Sequence, residues 1–192
     1  VNESQSEHVT PLAIRQNAKP AQGFRYAEED FAPVFDVERR KPYIEVGQLA
    51  VADVDQGEVK FNVGLHYHVR YSGVKKFRLD VPNAIAGLIR NDSSSFITKS
   101  EIKPAPDDLA EGYVAWELRS NRELLGPVTV ELSWNQELES LEETGSDLVL
   151  VGKLAPKNVD RSWGQIAFKK SENLDVIPEK DSLQGLRPID PR

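Results

Sequence analysis

The stretch GEVKFNVGLHYHVRY, residues 57–71, limits what this chain can become more than any other. From Glu58 to Tyr71 every odd position is apolar (Val59, Phe61, Val63, Leu65, Tyr67, Val69, Tyr71) and every even position is polar or glycine. Successive side chains of a strand point to opposite faces, so this order predicts a β-strand with one dry and one wet face. Fourteen residues at about 3.3 Å each would reach ~46 Å, longer than an ordinary strand, and a bend or bulge is therefore expected near Gly64. His66 and His68 stand together on the wet face.

The flanking sequence extends the pattern. Ile44 and Val46 share one parity while Leu49 and Val51 share the other, and a phase change at Gly47 predicts a β-bulge. Ser72-Gly73 reads as a turn into VKKFRLDV, where Phe77, Leu79 and Val81 alternate, giving a hairpin. Gly126-Pro127 reads as a second hairpin turn, with Trp116 buried from one arm and Trp134 from the other. LVLVGKL at 148–154 reads as a short buried strand and WGQIAFKK at 163–170 as a last one. Closely spaced strands without a sustained 3.6-residue period predict an all-β fold, an antiparallel two-sheet β-sandwich with long hairpins. The expected organisation is a polar arm over residues 1–22, one β-sandwich domain over 23–178, and a C-terminal linker over 179–192.

Charge and composition narrow the function. A net charge of −7 with no basic cluster beyond Arg39, Arg40 and Lys41 argues against nucleic acid, whose phosphates demand clustered cations. No cysteine is present, so disulfides, thiolate metal sites and cysteine nucleophiles are excluded. No apolar run approaches the ~20 residues of a membrane-spanning helix, and no membrane span is expected within these residues. A chain that begins at Val1 and lacks methionine reads as a processed product or an excised segment.

Each chemical motif has a plainer explanation. His66 and His68 could offer two imidazoles to one metal, but a zinc site needs further donors and the third histidine, His8, lies in the polar arm. DVDQG at 53–57 starts like a calcium loop, yet its glycine falls at the fifth position and Gly64 occupies the place of the bidentate glutamate. A polar hairpin turn fits better. SGVK at 72–75 matches S-x-x-K, whose chemistry needs a helix start rather than a β-turn. Adjacent carboxylates such as Glu28-Glu29, Asp107-Asp108 and Glu142-Glu143 give no evidence of the facing pair that glycoside hydrolysis requires. Trp163, close to Arg161, begins a strand and is expected to be partly exposed, where it could stack on a sugar ring. Arg161, Trp163, His66 and His68 are thus candidate ligand-surface residues, with no catalytic, cofactor-binding or metal-ligating set.

GQLAVADVDQGEV at 47–59 echoes GQIAFKKSENLDV at 164–176, as would the corresponding strands of successive modules. The series GLHYHVRYSGVKKFRLDVP, AWELRSNRELLGPVTVELSW and DRSWGQIAFKKSENLDV resembles β-rich modules of large, uncharacterised bacterial envelope proteins, over residues 42–178. That resemblance implies a secreted, periplasmic or cell-surface location, with neighbouring β modules or other envelope proteins as partners. It brings no catalytic residue with it. The expected function is a non-catalytic structural or interaction module without a cofactor; the alternative is a carbohydrate-binding module using an exposed aromatic surface.

Overall fold

The computed structural model describes Phe24 and residues 32–94, 96–138, 145–147, 149, 151–179 and 185–189. The chain divides into two units, residues 1–38 and 39–192. In the first, the rings of Phe24 and Phe35 pack with centroids 5.6 Å apart. The predicted strand at Leu12 and Ile14 lies outside the described residues.

The second unit is almost entirely β. Its elements run β1 (Tyr43–Val54), β2 (Glu58–Pro82), the short helix α1 (Asn83–Ala86), β3 (Arg90–Asn91), β4 (Ile97–Glu101), β5 (Tyr113–Glu137), β6 (Ala155–Lys157) and β7 (Arg161–Lys170). They form one hydrogen-bonded sheet in the order β3-β5-β2-β1-β7, with β4 also on β5 and β6 also on β2. The sheet is mixed, because β7 runs parallel to β1 while the other pairs are antiparallel.

The sheet makes two layers by folding over. Tyr67 and Phe77 lie ten residues apart on β2, which in a straight strand is about 33 Å, yet their rings stack with centroids 4.0 Å apart. Strand β2 must therefore turn back on itself near residues 70–75. Its partner turns with it: Phe61 faces Trp134 before the bend and Leu79 faces Trp116 after it, with register shifts only between Val69 and Lys76. Two paired strands thus form a continuous ribbon that passes through both layers, a known way of making the corner of a sandwich.

Several expectations are corrected here. Ser72-Gly73 and Gly126-Pro127 do not close hairpins; they lie at the corner of the two 25-residue strands β2 and β5. Both dipeptides suit a local reversal, but the long-range pairing of β2 with β5 continues through them and turns the reversal into a fold of the ribbon. Gly64 carries no bend, because its pairing with Leu49 and Glu131 is regular. Gly47 carries no bulge either, since β1 keeps one register along β2 from Tyr43 to Val54. The core takes Ala50 and Ala52, and Leu49 turns outward, 42% exposed. The 148–154 segment forms no strand over its described residues, although Leu154 and Gly152 are buried ahead of β6. The turn Asp55–Gly57 does join β1 and β2 as a polar hairpin, closed by Asp55 N–H donating to Glu58 O at 3.0 Å.

The alternation of residues 58–69 is realised in full, with Val59, Phe61, Val63, Leu65, Tyr67 and Val69 all buried. Trp134 stacks on Phe61 at 4.8 Å, and residues of both layers, including Leu79, Trp116 and Leu118, join one core cluster. Two buried polar atoms in it, Tyr67 Oη and Trp134 Nε1, have no hydrogen-bond partner. Burial pushes the Tyr67 phenol well above its ordinary range. Outside the core, Arg78 grips the buried Asp80 carboxylate through two bonds of 2.8 and 3.0 Å and reaches Asp108 at 2.7 Å.

Two stability outcomes follow from these contacts. Tyr67→Phe removes an unsatisfied buried hydroxyl without opening a cavity and is expected to raise the unfolding free energy by about 1 kcal/mol in denaturant titrations at pH 7. Because the folded-state phenol pKa is raised, the parent chain loses stability as pH rises above ~10, and Tyr67→Phe should move the alkaline unfolding midpoint upward. Asp80→Ala removes two charge-assisted bonds from the Arg78 guanidinium, leaving it Asp108, and should cost about 1.5–3 kcal/mol in the same titration. A loss of stability in Tyr67→Phe would contradict the first expectation, and a silent Asp80→Ala the second.

Candidate functional site

The register places all four candidate residues on one surface. Two cross-strand rows cross β7, β1, β2 and β5: Arg161, Glu45, His68, Pro127, and then Trp163, Gly47, His66, Thr129. In both rows the β2 residue has the wet parity, so Arg161, Trp163, His66 and His68 share the outward face of the first layer. All four are exposed, Trp163 by 53%.

Two glycines shape this face. A methyl group at Gly47 would meet the Trp163 indole at 3.1 Å, and one at Gly64 would meet His66 Nε2 at 3.0 Å. Each ring therefore lies over a glycine, as aromatic residues do when they cover a strand position that has no side chain of its own. His66 Nδ1 also stands 3.3 Å from Thr129 Oγ1. The histidine pair faces solvent, and no cluster of three or more His, Asp or Glu side chains suited to a metal ion occurs among the described residues.

Toward the corner, the same face continues in a feature that sequence reasoning missed. Tyr71 has φ +69°, a left-handed conformation costing about 1–3 kcal/mol in a residue other than glycine. It interrupts the strict alternation: Arg70 and Tyr71 are both exposed, and Ser72 is buried instead. The Tyr71 ring then meets Tyr43 edge-on at 6.4 Å. An aromatic residue directly after the last wet position was the available signal, but only the corner shows that its ring turns outward.

Three rings of this face, Trp163, Tyr71 and the half-buried Tyr43, each have an arginine above them. Arg161 lies 5.3 Å from the Trp163 centroid, Arg40 lies 5.3 Å from Tyr71, and Arg70 lies 5.9 Å from Tyr43. Such contacts combine the attraction of a cation to a ring face with the flat shape of the guanidinium. A guanidinium over a ring occupies a face that a stacking sugar would use. Phe168, exposed by 43%, has the opposite parity to Trp163 and so adds nothing to the row.

On the second layer, Glu117 bonds Lys76 at 3.0 Å and Arg119 at 2.6 Å, and these hydrogen bonds hold its carboxyl below the usual range. On the first, Arg70 bonds Glu45 at 2.8 Å, while Arg40 and Arg161 have no carboxylate partner among the described residues. Beside Arg40, an open hollow of about 430 Å³ lies between Arg39, Tyr71, Ser72 and Glu123. Arg39 is already engaged there, with Glu123 at 2.6 Å and Ser72 Oγ at 3.2 Å.

The two echoing segments turn out to be neighbours. Gly47 lies opposite Trp163 and Gln48 opposite Gly164, so both belong to one sheet rather than to successive modules.

No protein-family model matches the chain, and no curated protein matches it. Among solved structures, it is similar to a non-cellulosomal cohesin from the hyperthermophilic archaeon Archaeoglobus fulgidus, at 8% identity and a TM-score of 0.33, over 76% of this chain and 97% of that one. It is also similar to the seventh ScaB type I cohesin from Pseudobacteroides cellulosolvens, at 12% identity and a TM-score of 0.30, over 71% of this chain and 99% of that one.

A side chain at position 47 should lift the indole from its seat. Gly47→Val is expected to raise the acrylamide quenching of tryptophan fluorescence, because Trp116 and Trp134 are only 6% and 1% exposed and contribute little to it. Quenching identical to that of the parent would show that the ring does not rest on Gly47.

Proposed function

We propose that this chain is a non-catalytic protein-interaction module that holds an extended segment of its partner by strand addition at β7. The observation that carries this reading is the condition of that strand. β7 ends the sheet order, and on its far side no other strand pairs with it among the described residues. Nine of its ten residues are exposed and Ile166 is half-buried. Its middle, SWGQIAF at 162–168, bears no charge and contains no proline.

Proteins ordinarily blunt such an edge with charge, proline, a bulge or a cover, because its free N–H and C=O groups pair readily with another strand. Here the charges Arg161, Lys169 and Lys170 stand only at the two ends. A long uncharged edge between charged ends suits β-augmentation, in which main-chain bonds supply affinity and alternate side chains supply selectivity. The resemblance of residues 42–178 to bacterial envelope modules supports a setting in a larger secreted or envelope-anchored protein, where neighbouring β modules provide such segments.

A ten-residue acetylated peptide of alternating threonine and valine serves as the probe. Binding should slow amide hydrogen exchange within residues 161–170, and the same peptide N-methylated at alternate residues should lose it. Ala167→Lys, which puts a charge in the uncharged run, should weaken binding about tenfold without lowering the melting temperature. Equal binding of the N-methylated peptide, or protection confined to other strands, would sink the proposal.

A further inference from the structure

We infer that the outward face of β1, β2 and β7 recognises an acidic, extended segment of a partner protein through Arg40 and Arg161. This names a second binding element beyond the open edge of β7 and stands without it.

The reasoning starts from a pattern that the face already completes once. Arg70 lies 5.9 Å from the Tyr43 centroid and holds the Glu45 carboxylate at 2.8 Å. A guanidinium that meets a ring through its face keeps its N–H fork at the edge, where it matches a carboxylate in two bonds. Arg40 over Tyr71 and Arg161 over Trp163 repeat the first half of this arrangement. Neither has the second half among the described residues. The face thus offers two ring-supported guanidiniums to carboxylates from outside.

Two further observations point the same way. In a chain of net charge −7, two unpaired guanidiniums on one face make a local positive field, and such a field draws acidic partners. Tyr71 reaches its position only through a left-handed backbone, φ +69°, that a tyrosine adopts at a cost. Strain retained at an exposed ring, beside the 430 Å³ hollow, is better explained by what the ring supports than by packing.

Register sets the spacing. Tyr71 follows the Tyr43–Arg70 pair on β2, while Arg161 lies beside Glu45 on β7. That separation is about three residues along the strands and two strand spacings across them, roughly 14 Å between backbones. An extended peptide covers this in about four residues. The preferred segment therefore carries acidic side chains four positions apart, and it runs diagonally across the strands rather than along β7.

The test uses the full chain and a fluorescein-labelled nine-residue peptide of threonine, serine and glycine with glutamates at positions 3 and 7. Anisotropy should report binding that weakens with added salt, that falls about tenfold or more when both glutamates become glutamine, and that falls similarly in Arg40→Gln and in Arg161→Gln. Arg40→Lys should not restore it, because an ammonium lacks the planar fork. Tyr71→Asn tolerates the left-handed backbone and should melt no lower than the parent while binding the peptide more weakly. Equal affinity for the glutamine peptide, full binding by Arg40→Lys, or unchanged binding by Tyr71→Asn would overturn the inference. So would tight binding of a heparin tetrasaccharide in place of the glutamate peptide, which would assign the face to anionic glycans. Because the probe lacks alternating apolar residues, its failure leaves the hydrogen-exchange result at β7 unaffected, and the reverse holds as well.

Discussion

The structure depends on one constraint: β2 and β5 remain paired while both turn the corner between the layers. A ribbon folded in this way must bring its own inner face together. Residues before the bend, such as Phe61 and Tyr67, then share a core with residues after it, such as Phe77 and Leu79. The hydrophobic gain of that closure is large, since a fully buried aliphatic or phenyl side chain contributes about 1.5–3 kcal/mol. Moving the register by one residue would expose the whole set, so the pairing and the burial enforce each other. The corner itself is tied by polar contacts, with Ser72 buried, its hydroxyl donating to Arg40 O and accepting from Arg39 Nε.

What the inner face fixes, the outer face inherits. Once β2 is registered on β1, and β1 on β7, outward residues far apart in the chain become neighbours: Trp163 beside Gly47, Arg161 beside Glu45, His66 and His68 one strand further. The glycines at 47 and 64 leave room for rings to lie close to the backbone. The result is a surface on which the rings of Tyr43, Tyr71 and Trp163 each meet a guanidinium, while Glu117 on the other layer holds both Lys76 and Arg119.

The strands were largely legible because alternation is a local property. Residues 58–69 alternate in the structure as they do in the sequence, and Trp116 and Trp134 are core residues, as their parity requires. The exposure of Trp163 was readable from its position at the start of a strand. The corner was misread because Ser72-Gly73 and Gly126-Pro127 have the same chemistry whether a turn pairs the strands on either side of it or only bends them. The phase change of hydrophobicity across Gly47 fits a bulge, but the register of β1 on β2 is unbroken and gives the inward places to Ala50 and Ala52.

The sequence by itself determined the fold class, the parity of β2 up to Val69 and of β5, and the solvent-facing side of the histidine pair, because these follow from the two-residue period of an extended backbone. Only the tertiary structure decided that the strands of the supposed hairpins are single strands paired with each other. It also decided that β7 lies parallel to β1 at the end of the sheet, and that three arginines meet three rings on one face. Those outcomes rest on contacts between residues dozens to more than a hundred positions apart, as in Glu45 beside Arg161. No local pattern encodes such a meeting; it is set by which pairing buries the most apolar surface with every strand in register.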